Sequence, residues 1–430
     1  MTSQASLAER HRAVMPSWLA TYYQEPIELT SGDGRHVWDA DGNRYLDFFG
    51  GILTTMVGHN VAEVVEALQA QAATLLHTST LYLSRPMVEL AERLSALSGI
   101  PDAKVFLTTS GTEANEAALL AATSYRRSNQ VLALRNSYHG RSFGTVAITG
   151  NRSWSPTSLS GLQVTFVHGG YRLRSPFKHL DDDAYTRACV QDLRDLLDMC
   201  TSGDVACMIA EPIQGVGGFA TPPDGFFGAF AEVLREHEIL FVSDEVQTGF
   251  GRTGEHLWGY QAHGFTPDLL TMAKGIGNGV SLGAVVGRAE VLDSVPGNSI
   301  STFGGNPLSC AASLATLDVL LRDDLQGNAL KRGAQLAEGL KAIAAEHDWI
   351  VDVRGKGLML AVEACAPGGV EPWPDAAFQL LELTRARGLL VGKGGLYGNV
   401  VRVTPPLSVT EAEVAEALEI LHAAAGEVRR

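Results

Sequence analysis

Several things are scarce in this 430-residue chain, and each scarcity closes off a class of function. Only five cysteines are present, Cys189, Cys200, Cys207, Cys310 and Cys365, with no CxxC pair and no histidine-rich companion stretch. That argues against a disulfide framework or a metal site such as zinc, and points to free thiols in a reducing compartment. The N-terminus lacks a charged-then-apolar leader, and no uninterrupted apolar run reaches membrane-spanning length. A cytoplasmic protein without a membrane partner is therefore expected. Basic charge is short as well. The 33 Lys and Arg against 48 Asp and Glu leave a formal charge of −15, which weighs against nucleic acid as a general partner. Any phosphate has to be held locally. Internal repeats and low-complexity tracts are absent too.

What is present is an ordinary α/β composition, with 45% hydrophobic and 19% charged residues and 46 glycines. The length allows two or three domains and a large core. Residues 1–58 mix aromatics with turns such as Gly32-Asp33-Gly34 and Asp41-Gly42, which bracket a short hairpin around Arg35–Trp38. Helical spacing begins at Val61, and again after Pro86. Beyond Pro101, strands are expected at Lys104–Leu107, Val131–Leu134, Val146–Thr149, Val164–Val167, Cys207–Ala210, Ile239–Ser243, Leu269–Ala273 and Ala284–Gly287. Helices should intervene at Glu113–Arg127, Val190–Met199 and Phe226–His237, with the Ser-, Gly-, Pro- and Asp-rich segment Arg152–Asp183 forming an irregular surface excursion. Such alternation predicts a mainly parallel sheet covered on both faces. Residues 59–308 thus form a large domain, and residues 309–430 a smaller α+β domain that the N-terminal segment joins.

The chemistry centres on Ile239–Arg252 and on Lys274. An apolar run ends in Ser243-Asp244-Glu245, and a second run, Asp268–Ala273, delivers Lys274 in the same way. Asp244 and Lys274 stand thirty residues apart, about one strand–connection–strand unit. An acid and an amine at neighbouring strand ends can grip one flat ring, which is what pyridoxal phosphate requires: a lysine for its aldehyde and a carboxylate for its pyridine nitrogen. The bland alternatives are a helix cap for Asp244 and a solvated Lys274. The apolar and glycine-rich flanks Met272-Ala273-Lys274-Gly275-Ile276-Gly277 speak against the second and predict a lowered lysine pKa.

Other stretches are individually weaker. Thr108-Thr109-Ser110-Gly111-Thr112-Glu113 links a strand to an alanine-rich helix, where amides and hydroxyls suit a phosphate, or simply cap the helix. Tyr138-His139-Gly140-Arg141 offers an aromatic to stack on a ring and an arginine for a carboxylate, or else forms a surface turn. Glu211-Pro212-Ile213-Gln214-Gly215 ends another strand, where Glu211 either orients a neighbour or is solvated. Ser301-Thr302-Phe303-Gly304-Gly305 either completes a phosphate cup or leads into a helix. Arg402 interrupts an apolar strand, where a lone charge needs an anion: an ion-pair partner or a substrate carboxylate.

Together these motifs resemble the class III, ω-amino acid type, pyridoxal-phosphate aminotransferases, from about Arg35 to the C-terminal helix. The most specific part is Ser243–Gly254 with Lys274 downstream. The resemblance implies fold type I, Lys274 as Schiff-base lysine, Asp244 as partner of the ring nitrogen, Gln247 beside the phenolic oxygen and Tyr138 as stacking aromatic. It places Gly111 and Thr112 on the phosphate, with Thr302 reaching in from a second subunit of a homodimer with shared active sites; a dimer of dimers is left open. Ser110, His139 and Glu211 complete the expected cofactor set, and Ile52, Arg141 and Arg402 the substrate set. The implied substrates are amino acids and 2-oxo acids, exchanged in a ping-pong cycle. Family members that handle 4-aminobutyrate or ornithine commonly carry a glutamate two residues after the glutamine of Glu-Pro-Ile-Gln. Here that position is Val216, which is more similar to the alanine–glyoxylate and β-amino acid–pyruvate branch. A 4-aminobutyrate–2-oxoglutarate aminotransferase and an amino-alcohol-phosphate phospho-lyase on the same fold are the alternatives.

Overall fold

Seven short apolar runs pair into one sheet in the computed structural model, which describes residues 6–429. They are β1 (Ala103–Thr108), β2 (Gln130–Leu134), β3 (Gln163–Val167), β4 (Cys207–Ala210), β5 (Leu240–Asp244), β6 (Leu269–Met272) and β7 (Gly283–Arg288). The spatial order is β1-β7-β6-β5-β4-β2-β3. The pairs β2–β3, β2–β4, β4–β5 and β5–β6 are parallel. Only β7 runs backwards, antiparallel to both β6 and β1, so six of the seven strands end at the same edge.

Every residue of β2, β4, β5 and β6 is buried, because helices cover both faces. The two-residue period of a strand sorts the side chains. Val131, Ala133, Cys207, Ile209, Leu240 and Val242 face the helix Gly111–Arg126, through its Ala114, Ala118 and Ala122. Leu132, Met208 and Phe241 face the opposite layer, where Tyr185 and Leu193 of helix Asp182–Cys200 meet Phe226, Phe227 and Phe230 of helix Phe226–Glu236. Chain order turns back between β2 and β4, and the crevice beyond the carboxyl ends of the strands at such a switch is where open α/β sheets bind ligands.

Two smaller sheets flank this frame. Ile350–Lys356, Met359–Ala364, Val400–Val403 and Gly392–Gly394 pair antiparallel in that spatial order. Leu29–Asp33, His36–Asp39 and Arg44–Asp47 form an antiparallel meander, joined in parallel by Leu389–Leu390.

Two expectations need correction. The strand predicted at Val146–Thr149 is instead the end of a short helix, Phe143–Ala147. Its β-branched content favours a strand, but Ser142 caps the helix and the Glu116 carboxylate accepts the amides of Gly144 (3.0 Å) and Thr145 (3.2 Å). The helix expected at Val190 begins at Asp182, because Asp181 takes the amide of Ala184 (2.8 Å) and acids fill its first turn. Those same aspartates made the stretch read as loop.

Phe230 is fully buried, its ring stacked on Phe226 with centroids 4.7 Å apart. Phe230→Ala should cost about 3–5 kcal/mol. The urea midpoint should fall at unchanged m-value, whereas an unchanged midpoint would remove this layer from the core.

Candidate active site

The common edge of the sheet gathers the chemistry. β5 pairs with β6 so that Asp244 lies opposite Thr271, and Lys274 follows three residues later. Asp244 is 4% exposed and fully engaged. Its Oδ2 accepts from Asn115 Nδ2 (2.8 Å) and lies 2.7 Å from His139 Nδ1, while Oδ1 accepts the amide of Val246 (3.1 Å). Asn115 also donates to the His139 carbonyl (2.8 Å) and accepts from Thr271 Oγ1 (2.6 Å), tying β6, the helix and the Tyr138–His139 turn to one carboxylate.

Lys274 opens a 3₁₀ turn, Lys274–Gly277, with φ +50°, a conformation that side chains other than glycine rarely adopt. Asn278 closes that turn and holds it in place, since its Oδ1 accepts from the Val57 amide (3.0 Å) and its Nδ2 donates to the Gly58 carbonyl (2.9 Å). Burial, opposed by Asp244 and Glu211, lowers the Lys274 pKa from 10.5 to about 8. Glu211, 4% exposed, is pushed well above the ordinary carboxylate range, chiefly by burial. It accepts the amides of Tyr138 (2.9 Å) and Gly215 (2.8 Å), so the carboxylate orients two turns.

These groups line a cavity of about 300 Å³. Nine predicted residues share it: Ser110, Gly111, Thr112, Tyr138, His139, Glu211, Asp244, Gln247 and Lys274. At one end, Ser110 caps the helix Gly111–Arg126 by accepting the amide of Glu113 (3.2 Å). The amides of Gly111 and Thr112, in the first turn, have no helical carbonyl to meet. Gly111 has no room for a side chain, because a Cβ there would lie 3.0 Å from Val246. Gln247 packs flat against Gly215, whose Cβ would fall 2.1 Å from its Nε2, and Gln247 Oε1 is buried without a partner.

Four predicted residues lie elsewhere. Ile52 is 44% exposed at φ +66° and does not line the cavity, although Thr54 does. Arg141 is exposed, 5.1 Å from the Trp18 ring, just after the cavity-lining Gly140. Thr302 is exposed and outside this chain's own cavity. Arg402 is buried on the strand Val400–Val403, near enough to Lys274 to help lower its pKa. Its guanidinium lies over the rings of Phe49 (5.2 Å) and Phe219 (5.5 Å), and its Nε and Nη1 have no partner.

The sequence pattern assigns no role to Asn115, Thr271 or Arg252, although the first and last lie in its motif stretches. A polar residue four positions after Gly111, inside an alanine-rich buried stripe, was the available signal for Asn115. Arg252 is 2% exposed and donates to the carbonyls of Leu358 and Pro405 (2.5 Å), fastening the loop after β5 to the strand end beyond Arg402.

The donor set fits pyridoxal phosphate. It comprises a helix N-terminus with hydroxyls for a dianion, an amine of lowered pKa, a carboxylate held in place, an aromatic wall at Tyr138 and an orphan acceptor at Gln247. The profile of the family Aminotransferase class-III matches residues 20–425. The chain is similar to the mitochondrial alanine–glyoxylate aminotransferase 2 homolog 2 of Arabidopsis thaliana, at 39% identity over 412 residues, 94% of this chain and 84% of that one. A thermostable (S)-enantioselective omega-transaminase from Thermomicrobium roseum superposes with TM-score 0.91 at 34% identity, covering 99% of this chain and 100% of that one. A phospholyase from Arthrobacter in complex with phosphoethanolamine gives TM-score 0.89 at 32% identity, covering 98% and 100%.

In cofactor-free protein, modification of Lys274 by an amine reagent should rise with pH through about 8, the pH at which its free amine appears, rather than through 10.5. Peptide mapping of the modified lysine checks this, and a midpoint near 10 would show that the pocket does not desolvate it.

Proposed function

From the premise that this chain belongs to the class-III aminotransferase family and is a pyridoxal-phosphate transaminase, we propose that it takes an amino group from alanine, β-alanine or another ω-amino acid and passes it to a 2-oxo acid such as glyoxylate or pyruvate. When bound, the cofactor supplies an aldehyde for amines and a ring that takes up the electron pair released at the substrate carbon. Gly111, Thr112 and Ser110 would hold its phosphate, Asp244 its ring nitrogen, Gln247 its phenolic oxygen and Tyr138 its face. Lys274 carries the proton traffic: a pKa of about 8 lets its Nζ alternate between amine and ammonium near neutral pH. His139 and Asn115 keep Asp244 oriented while it does so.

The observation that carries the substrate reading is Arg402. No carboxylate pairs with it among the described residues, and two of its buried donors are unfilled. The backbone beside it belongs to Val216, whose carbonyl accepts the amide of Gly395 (2.9 Å) while Gly394 leaves space next to Arg402 Nε. An acid at position 216 would switch Arg402 off for small substrates; valine leaves it open to a substrate carboxylate. The similarity to a phosphoethanolamine-bound phospholyase favours a lyase as second reading. Against it, Lys274 is the only lysine or arginine among the described residues that line the cavity, so a second phosphate would have Arg402 alone to meet it.

The same proposal includes a cytoplasmic homodimer in which Thr302 completes the phosphate site of the other subunit. In support, Thr302 is exposed next to Phe303 (62% exposed), and Leu81, Tyr82 and Leu83 form a consecutive exposed apolar run. Sedimentation of the loaded enzyme should give twice the chain mass, and a monomeric, fully active enzyme would sink this part.

Loaded enzyme mixed with single amines should lose its cofactor absorbance with alanine or β-alanine and release the matching oxo acid. Lys274→Ala should lose turnover by several orders of magnitude. Phosphate release from phosphoethanolamine without an oxo-acid acceptor would instead establish the lyase. Arg402→Ala should lower kcat/KM for carboxylate-bearing substrates by the equivalent of about 2–5 kcal/mol, while amines without a carboxylate change little. Equal losses for both would remove Arg402 from substrate binding.

A further inference from the structure

Outside the catalytic cavity, one cluster of side chains among the described residues has the composition and spacing of a metal site. Helix Leu325–Glu346 and helix Glu411–Ala425 pack together, and their C-terminal turns bring Glu346, His347 and His422 into one group. One ligand atom from each, a carboxylate oxygen and two imidazole nitrogens, lies within 4.8 Å of the others. His422 Nε2 is 2.9 Å from Glu346 Oε2, and the two imidazole centroids are 6.4 Å apart. His347 Nε2 is buried and has no hydrogen-bond partner, an orphan that the protein's own groups leave unexplained.

We propose that Glu346, His347 and His422 bind a divalent transition ion of the zinc class, with water in the fourth position. Two imidazoles and one carboxylate are borderline donors, suited to zinc, nickel or copper rather than to calcium or magnesium. Tetrahedral ligands about 2.0–2.1 Å from zinc stand about 3.3 Å apart, so the three groups, now within 4.8 Å of one another, have to draw together by about an ångström on binding. Both helices present their C-terminal ends here, and the partial negative charge of those ends favours a cation. The ion would replace the His422–Glu346 contact with a joint across the two helix ends, and it would give the His347 imidazole, whose Nε2 is unpartnered, a partner to bind. Nothing in the linear sequence announces this site, since the two histidines are seventy-five residues apart and no cysteine takes part.

The test uses chelator-treated, cofactor-loaded full-length enzyme, titrated calorimetrically with zinc chloride. Wild type should bind one zinc per chain at this site and unfold at a higher temperature in its presence. His422→Asn and Glu346→Gln, both surface changes remote from the transaminase cavity, should each weaken that binding about tenfold or more and abolish the thermal shift, with basal turnover unchanged. Cobalt bound to wild type should show the visible bands of a four-coordinate site, and these should be absent from His422→Asn. Zinc bound equally well by both variants, or no saturable binding by wild type, would overturn the proposal.

Discussion

The structure depends on the carboxylate of Asp244 being held in one place. Three donors converge on it, from Asn115 in the covering helix, His139 in the turn after β2 and the amide of Val246 at the end of β5. A buried acid this well engaged is geometrically fixed, and in the proposed function its position sets where the ring nitrogen would lie. The parallel pairing of β5 with β6 then decides where Lys274 stands, because register opposes Asp244 to Thr271. One ladder thus places both the acid and the amine.

Holding the amine has a conformational cost. Lys274 sits at positive φ, worth about 1–3 kcal/mol of strain, and Asn278 stabilises that turn by clasping the Val57–Gly58 backbone. Burial does the rest by making its ammonium easier to deprotonate. Arg402 lies on a strand of the smaller antiparallel sheet, and Arg252 ties that sheet to the large one by reaching from the loop after β5 to the carbonyls of Leu358 and Pro405. Arg402 and the Asp244–Lys274 pair therefore stand on different sheets, and Arg252 is one buried link between them.

Much of this was legible in the sequence because strand ends carry the chemistry. The apolar runs before Asp244 and Lys274 marked β5 and β6, and glycine and hydroxyl residues marked the turn at Ser110–Thr112. Elements decided by tertiary contacts were not legible. Phe143–Ala147 is helical because Glu116, distant in sequence, takes its first amides, and the β-branched run alone favours a strand. Asn115 and Thr271 have no role legible from neighbouring residues because their partners lie far along the chain. Thr302 and Arg141 lie outside the cavity of a single chain, so their parts in the chemistry rest on resemblance rather than on local geometry.

The central claim is that Asp244 and Lys274 grip opposite ends of one ring, with Asp244 keeping its nitrogen protonated. The most direct test is the ¹⁵N magnetic resonance shift of enzyme loaded with nitrogen-labelled pyridoxal phosphate, in wild type and in Asp244→Asn. The account predicts a protonated ring nitrogen in wild type and an unprotonated one in the variant. An unprotonated nitrogen in wild type, or the same shift in both, would contradict it.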